Sequence, residues 1–201
     1  MRPTSMSPIT DPRGFTLVEM LIVLTMVGIA VGFGIDGLRG YRETQRARAG
    51  AVQVVQVINV AKARAIAANQ PAIIDFDPGS LSTSQGFYQV FLDLNRNSVR
   101  DSAEVTAANL PNPTDRAGML GYQLPANMGF DQPAASTGPL GLPTAADGVT
   151  FTNNQITVLP DGTATESGHV TLLDPTGRTY AVTVTVGGAV RMYRYDGTTW
   201  R

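Results

Sequence analysis

The chain has 201 residues and a formal net charge of −1, so its overall charge shows no bias toward nucleic acid as a partner. It has no cysteine and one histidine, His169, which excludes a catalytic thiol, disulfide bonds, and cysteine- or histidine-rich zinc sites. This length is enough for one membrane helix and one modest globular domain, which packing or a metal ion must stabilise.

A short polar leader precedes a long apolar run at the N-terminus. Between residues 15 and 35 the only charged residue is Glu19. About 20 apolar residues can cross a bilayer as a helix. A carboxylate near the start of such a span is costly in lipid and requires a specific partner. The leader ends in Arg13-Gly14 before the apolar run, whereas a secretory signal peptide is cut after its apolar run.

Residues 14–19, Gly-Phe-Thr-Leu-Val-Glu, resemble the class III signal of type IV pilins and pseudopilins. The resemblance implies that a prepilin peptidase cuts after Gly14 and that Phe15 becomes an N-methylated N-terminus. It also implies that Glu19 pairs with the N-terminal ammonium of a neighbouring subunit during assembly, because two opposite buried charges need each other in an apolar filament core. The alternative is an ordinary membrane anchor.

The same resemblance implies a topology for the chain. The chain would be a single-pass protein of the inner membrane with its head in the periplasm, and an inner-membrane platform would assemble it with other subunits. Four arginines follow the apolar run, and the positive-inside rule alone would place them in the cytoplasm. They are Arg39, Arg42, Arg46 and Arg48. The pilin resemblance places them outside, and its motif is the more specific evidence.

Residues 15–69 are predicted to form one long helix after a leader at residues 1–14. Residues 15–35 would be its transmembrane part and the filament core. In the second half, small and apolar residues recur at spacings of three and four, which predicts a face that packs on a sheet. These residues are Ala47, Ala51, Val54, Ile58, Ala61, Ala65 and Ala68. Pro71 ends the helix, since proline cannot continue it.

Residues 70–201 are predicted to form a β-rich head. Seven short runs rich in β-branched and aromatic residues are separated by Gly, Pro, Asp and Asn turns. They are residues 72–76, 87–92, 119–124, 155–159, 169–173, 179–186 and 189–195. Between the third and fourth runs, residues 125–148 have no periodicity and are predicted to be a long loop.

Three segments of the head resemble the GspH/FimT group of pseudopilins and minor pilins. They are residues 156–164, 168–172 and 184–191. The resemblance implies that the strands form a β-sandwich on the C-terminal half of the helix. The expected fold is therefore α+β and pilin-like, with a long N-terminal membrane-spanning helix packed on an antiparallel β-sandwich head.

Residues 93–104 form the strongest candidate metal site. Their oxygen-bearing residues follow the spacing of an EF-hand-type calcium loop, in which hard oxygen ligands wrap one ion. The candidate calcium ligands are Asp93, Asn95, Asn97, the Val99 carbonyl, Asp101 and Glu104. Ser98 stands where such a loop requires glycine, and a strand rather than a helix precedes the loop. The alternative is a polar turn closed by Asx hydrogen bonds.

The C-terminal region combines arginines with aromatic residues, a combination that can bind a nucleic-acid strand. Arg178, Arg191 and Arg194 are the candidate DNA contacts. Some FimT-type minor pilins bind DNA through a basic C-terminal motif. However, Arg191 and Arg194 would point to opposite faces of a strand, and a solvated sheet edge is the alternative.

The sequence predicts a structural minor pilin or pseudopilin of the GspH/FimT type, and not an enzyme. A DNA-binding minor pilin for DNA uptake is the alternative function. A third class is a membrane-anchored solute-binding or enzymatic domain, which would keep the bond between Gly14 and Phe15 intact. The sequence leaves open whether the filament is a type II secretion pseudopilus or a type IV pilus, because both machines use this signal and head.

Overall fold

The computed structural model describes residues 16–76, 86–99, 104, 121–126, 128–131, 133, 135–173 and 177–201, without the side chains of residues 33–39. Helix α1 spans Leu17–Ala68 and is followed, within the described residues, by eight β-strands. The chain divides into two compact units, Met1–Tyr41 and Arg42–Arg201. The order of a helix followed by antiparallel sheets confirms the α+β class.

In the N-terminal unit, α1 exposes its large apolar side chains. Those between Leu17 and Val31 are each exposed by between 49% and 81%. Exposure of this much apolar surface indicates that another apolar phase, lipid or protein, covers this part of the helix.

Two stretches of α1 are apolar. Among the residues whose side chains are described, Leu17–Gly32 is apolar but short, and Gly40–Ala68 is long and apolar enough to cross a membrane. Length and composition alone do not distinguish a membrane span from the core helix of a soluble domain. One third of the apolar window in Gly40–Ala68 is buried within the protein, which favours its role as the core helix of the head.

In the second unit, residues 42–68 of α1 pack on the sheets through the predicted stripe. Ala47, Ala51, Val54, Ile58, Ala61 and Ala65 are each at most 1% exposed. Four of these six are alanines, which let the sheets approach the helix closely. Ala68, the last member of the predicted stripe, is exposed because the helix ends there.

The end of α1 is closed by a left-handed residue. Asn69 has φ +51°, and its N–H donates to the Ile66 carbonyl at 3.3 Å. The Gln70 N–H donates to the Ala65 carbonyl at 3.1 Å. This pair of bonds satisfies carbonyls that lack a helical partner, and asparagine tolerates the left-handed conformation better than other non-glycine residues.

The described strands of the head form two four-stranded antiparallel sheets. The strands are β1 Ala72–Asp75, β2 Phe87–Leu92, β3 Tyr122–Gln123, β4 Gly129–Phe130, β5 Gln155–Val158, β6 Gly168–Leu173, β7 Thr179–Val184 and β8 Val190–Arg194. The first sheet has the order β3-β2-β1-β5 and the second β4-β6-β7-β8. Their apolar faces and α1 contribute to one continuous core, which includes Tyr88, Ile156 and Val182.

The prediction of a continuous loop at residues 125–148 is wrong in one respect, because this segment contains β4. Gly129 and Phe130 pair with Leu173 and Leu172 and add a strand to the second sheet. A two-residue strand is too short for an alternating pattern to show. Phe130 also joins an aromatic cluster, in which its ring lies 5.3 Å from Phe76 and 5.9 Å from Tyr88.

Later in the same segment, residues 135–143 form what we call the covering loop. Thr137 and Pro143 make a β-bridge, and the Gly138 N–H donates to the Leu142 carbonyl at 2.7 Å. Beyond β8, Tyr195 and Trp200 make a β-bridge that forms a C-terminal hairpin, and the Trp200 indole donates to the Thr137 carbonyl at 2.8 Å. The Trp200 bond ties the loop to the C-terminal hairpin, and Gly138 of the loop lies against His169 of β6.

Candidate functional site

At the start of α1, Glu19 forms a capping box with Thr16. One carboxylate oxygen of Glu19 accepts both the Thr16 backbone N–H and the Thr16 hydroxyl at 2.9 Å. In return, the Glu19 N–H donates to the Thr16 hydroxyl oxygen at 3.2 Å. The helix thereby satisfies two donors that would otherwise lack a partner at its N-terminus.

This local role of Glu19 was not predicted from the sequence. The signal was present, because threonine followed three residues later by glutamate is the sequence pattern of a capping box. The predicted cleavage and methylation positions, Gly14 and Phe15, lie outside the described residues. Glu19 therefore has an intrachain partner in the single subunit, and an intersubunit partner would be additional to it or replace it.

The loop that follows β2 folds its side-chain oxygens toward its own backbone. The two Asp93 carboxylate oxygens accept the N–H groups of Asn97 at 3.0 Å and Ser98 at 2.9 Å. The side-chain oxygens of Asn95 and Asn97 accept N–H groups two residues further on, at 3.1 Å and 2.7 Å. These are the Asx hydrogen bonds of the polar-turn alternative, and they also orient four oxygen atoms within one loop.

Glu104 returns to the start of the same loop. One of its carboxylate oxygens accepts the Leu94 N–H at 2.8 Å. Asp93 is 1% exposed and Glu104 is 3% exposed, so two carboxylates are buried in one loop. Ser98 has φ +57°, which is the conformation that the glycine of an EF-hand loop supplies.

The side-chain oxygens in the described part of this loop suit a hard cation as ligands. Carboxylate and amide oxygens are the ligands that calcium prefers. The described residues contain no group of three or more His, Cys, Asp or Glu side chains that could hold a metal ion. In this loop two of the four described side-chain ligands are asparagines, so carboxylates make up only the other two. The remaining expected ligand, Asp101, lies outside the described residues.

The three arginines proposed to contact DNA do not form one surface. Arg178 is half-buried and donates a hydrogen bond to the Thr44 hydroxyl on α1. Arg191 pairs with Thr183 and Arg194 with Tyr180, so the two residues, three apart on β8, point to opposite faces of the sheet. Arg191 and Arg194 are exposed.

His169 lies in β6 and is completely buried. Neither ring nitrogen has a hydrogen-bond partner among the described residues. Gly138 of the covering loop lies directly against the imidazole ring, where an added Cβ would overlap it. Burial lowers the pKa of His169 below its usual value, because the charged ring loses its hydration.

We expect the stability of the protein to fall as the pH decreases below about 6.5, the usual pKa of histidine. In that range the unfolded chain binds a proton at His169 that the folded chain does not bind. The free energy of unfolding can fall by about 1.4 kcal/mol per pH unit until the pH reaches the pKa of His169 in the folded chain. Urea unfolding at pH 7.5 and 5.5 measures it, with His169→Asn as the matched control. An equal pH dependence in the His169→Asn variant would contradict this expectation.

Two families match the chain. The prokaryotic N-terminal methylation motif matches residues 11–35, and type II transport protein GspH matches residues 50–189. The chain belongs to the GspH family. With the methylation motif ahead of the GspH domain, it is a minor pseudopilin of type II secretion, and this family implies assembly with other pseudopilin subunits in a secretion pseudopilus. These matches give no support to the DNA-binding alternative.

Among solved structures, the minor pseudopilin EpsH from the type 2 secretion system of Vibrio cholerae is similar to the chain. The two share 14% sequence identity, with a TM-score of 0.43. The similarity covers 73% of this chain and 95% of the EpsH chain. No protein with a curated description matches the chain.

Proposed function

We propose that the chain is a structural subunit, and not an enzyme, that waits in the inner membrane with its head in the periplasm. A prepilin peptidase cuts it after Gly14, and Phe15 is then N-methylated. The inner-membrane platform transfers residues 15–35 from lipid into the core of the pseudopilus. There Glu19 pairs with the N-terminal ammonium of a neighbouring subunit.

The observation that carries this proposal is the methylation motif at residues 11–35 on a helix with exposed apolar side chains. In the described part of the chain, α1 buries little of residues 17–32. Such a surface must be covered by lipid before assembly and by other subunits afterwards. Glu19 is the only charged group in this stretch, so its carboxylate is the natural partner for a buried ammonium.

Mass spectrometry of the N-terminus tests the proposal. The full chain is expressed with and without a prepilin peptidase, and a product that begins at methylated Phe15 is expected only with the peptidase. Gly14→Val is the matched variant, since a branched side chain at the cut site blocks close approach of the backbone. An uncut wild-type chain in the presence of an active peptidase would overturn the proposal and leave an ordinary anchored domain.

We propose further that the loop from Asp93 to Glu104 binds one calcium ion. Asp93, Asn95, Asn97, Asp101 and Glu104 would hold it with side-chain oxygens, and Val99 with its carbonyl. A bound cation would offset the repulsion between carboxylates buried in one loop and would stabilise the head. The burial of Asp93 and Glu104 and the left-handed Ser98 support this proposal.

Calcium should raise the thermal stability of the purified full chain. At a hundredfold excess over the dissociation constant, the gain in the free energy of unfolding is about 2.7 kcal/mol. Glu104→Gln should abolish the gain, and Glu43→Gln, an acid on α1 outside the loop, should retain it. No gain with calcium up to about 1 mM, an equal gain with magnesium, or a gain retained in Glu104→Gln would refute calcium binding.

A further inference from the structure

A short part of α1 carries three exposed arginines, which we call the arginine collar. They are Arg42, Arg46 and Arg48, and none of their side chains makes an ion pair or a hydrogen bond with a described residue. The helix rises by about 9 Å from the first of them to the last. Three positive charges without a partner therefore lie within less than two turns of one helix.

The neighbouring residues of α1 do little to neutralise the collar. Glu43 is the only acid between residues 37 and 74, and it makes no ion pair with a described residue. From the head, Arg178 donates a hydrogen bond to the Thr44 hydroxyl and so brings a fourth guanidinium to this part of the helix. The helix between Arg42 and Arg48 therefore carries a net positive charge.

The collar arginines spread around α1 and do not line one narrow face. At about 100° per residue, Arg46 lies about 40° from Arg42 in one direction and Arg48 about 120° in the other. Together they cover roughly 160° of the circumference, on the side opposite the buried Ala47 and Ala51. A neighbouring helix covers a single stripe. A surface from which the helix emerges contacts all of its exposed sides, and the collar matches such a surface better.

The direction of the collar side chains and their place in the sequence indicate which surface this is. Side chains of a helix lean toward its N-terminus, so the collar guanidinium groups extend in the direction of the preceding apolar run. Residue 35 ends the predicted transmembrane part only seven positions before Arg42. Tyr41, directly before the collar, is 64% exposed. Tyrosine is enriched where a membrane meets water, because its ring is apolar and its hydroxyl is polar.

Arginine has the chemistry that a phospholipid surface requires. Its planar guanidinium donates two parallel hydrogen bonds to a phosphate group and keeps its charge at any physiological pH. Basic residues beside a membrane span are attracted to anionic headgroups, and each additional one strengthens the attraction. Three exposed arginines beside an apolar helix therefore fit the phosphate layer of a membrane that contains anionic lipid.

We propose that the arginine collar binds the phosphate groups of anionic phospholipids at the surface of the membrane from which the head emerges. This inference rests on the proposed function, because it takes the membrane-bound stage before assembly from it. The contacts stabilise the subunit that waits in the membrane, and transfer into the filament breaks them.

Energy transfer from the full chain to labelled lipids tests the proposal. The chain has no cysteine, so Gln45→Cys, at an exposed position within the collar, carries a single donor dye. The labelled chain is reconstituted into vesicles of phosphatidylcholine and phosphatidylglycerol. Acceptor dyes are placed on the acyl chains of one lipid or the other at equal mole fraction. Both leaflets have the same composition, so the orientation of the chain does not affect the result.

We expect phosphatidylglycerol to be enriched around the donor about threefold or more over phosphatidylcholine. An increase from about 0.1 M to about 1 M salt should reduce the enrichment, because ions screen exposed charges. Replacement of all three collar arginines with glutamine should abolish it. The control variant loses three exposed arginines outside the collar and should retain the enrichment, although its net charge is the same. Its substitutions are Arg64→Gln, Arg191→Gln and Arg194→Gln.

The outcomes separate this inference from the proposed function. Equal transfer to both lipids, or enrichment that survives in the collar variant or disappears in the control variant, overturns lipid binding by the collar. A collar variant that keeps the enrichment and fails to enter the filament assigns the collar to an acidic surface of another subunit, which also overturns it. The vesicles contain no peptidase, so a chain that stays uncut in cells overturns the proposed function without changing the lipid measurement.

Discussion

Replacing Glu19 with glutamine should reduce the amount of this chain in the pseudopilus at least tenfold while cleavage after Gly14 continues. The proposed ammonium partner of Glu19 would then be buried in the filament core without a counter-charge. Removal of one member of a buried ion pair costs about 3–5 kcal/mol, which exceeds the roughly 1.4 kcal/mol of a tenfold change in equilibrium. Quantitative immunoblotting of purified filaments, with the membrane fraction as reference, measures this loss.

The capping box provides a matched pair of variants for this experiment. Glutamine at position 19 can still accept the Thr16 N–H, so Glu19→Gln keeps the local cap and removes only the charge. Thr16→Val does the opposite, because it removes the hydroxyl that bonds to Glu19 and keeps the carboxylate. Assembly should therefore fall with Glu19→Gln and stay within about twofold with Thr16→Val. Equal losses in both variants would mean that Glu19 acts through the helix cap alone.

Sequence patterns predicted α1 and seven of the eight described strands. The spacing of Ala47, Val54 and Ala61 identified the buried face of α1, because a helix that packs on a sheet must repeat small and apolar residues every three or four positions. The seven predicted runs all contain strands of the structure, because β-branched and aromatic side chains pack well on the pleated surface of a sheet. Local pattern and tertiary packing agree in these segments.

The remaining features depend on contacts that a local pattern does not contain. Strand β4 has only Gly129 and Phe130, and it exists because Leu172 and Leu173 lie opposite them in the sheet. In the loop from Asp93 to Glu104, spacing predicted the candidate oxygen ligands, whereas the burial of Asp93 and Glu104 could be seen only in the fold. Tertiary neighbours, rather than intrinsic propensity, decide such positions.

The contact between the covering loop and His169 predicts a large effect from one methyl group. Gly138 has φ −74° and ψ 177°, which any residue can adopt, so its backbone does not require glycine. An alanine Cβ there would overlap Cε1 and Nε2 of the His169 ring, which is completely buried. We expect Gly138→Ala to lower the free energy of unfolding by about 2–3 kcal/mol, as is usual for an overpacked core.

A double-mutant cycle separates this overlap from any general sensitivity of the loop. In a His169→Ala background the ring is gone, so Gly138→Ala should cost less than about 0.5 kcal/mol, which gives a coupling energy of about 2 kcal/mol. Gly187→Ala is the matched control, because the nearest atom to its Cβ is the Thr185 hydroxyl oxygen at 4.0 Å. Urea unfolding of the four chains at pH 7.5 measures the cycle. If Gly138→Ala cost the same with and without the ring, the covering loop would be sensitive for another reason, and His169 would not fix its position on the sheet.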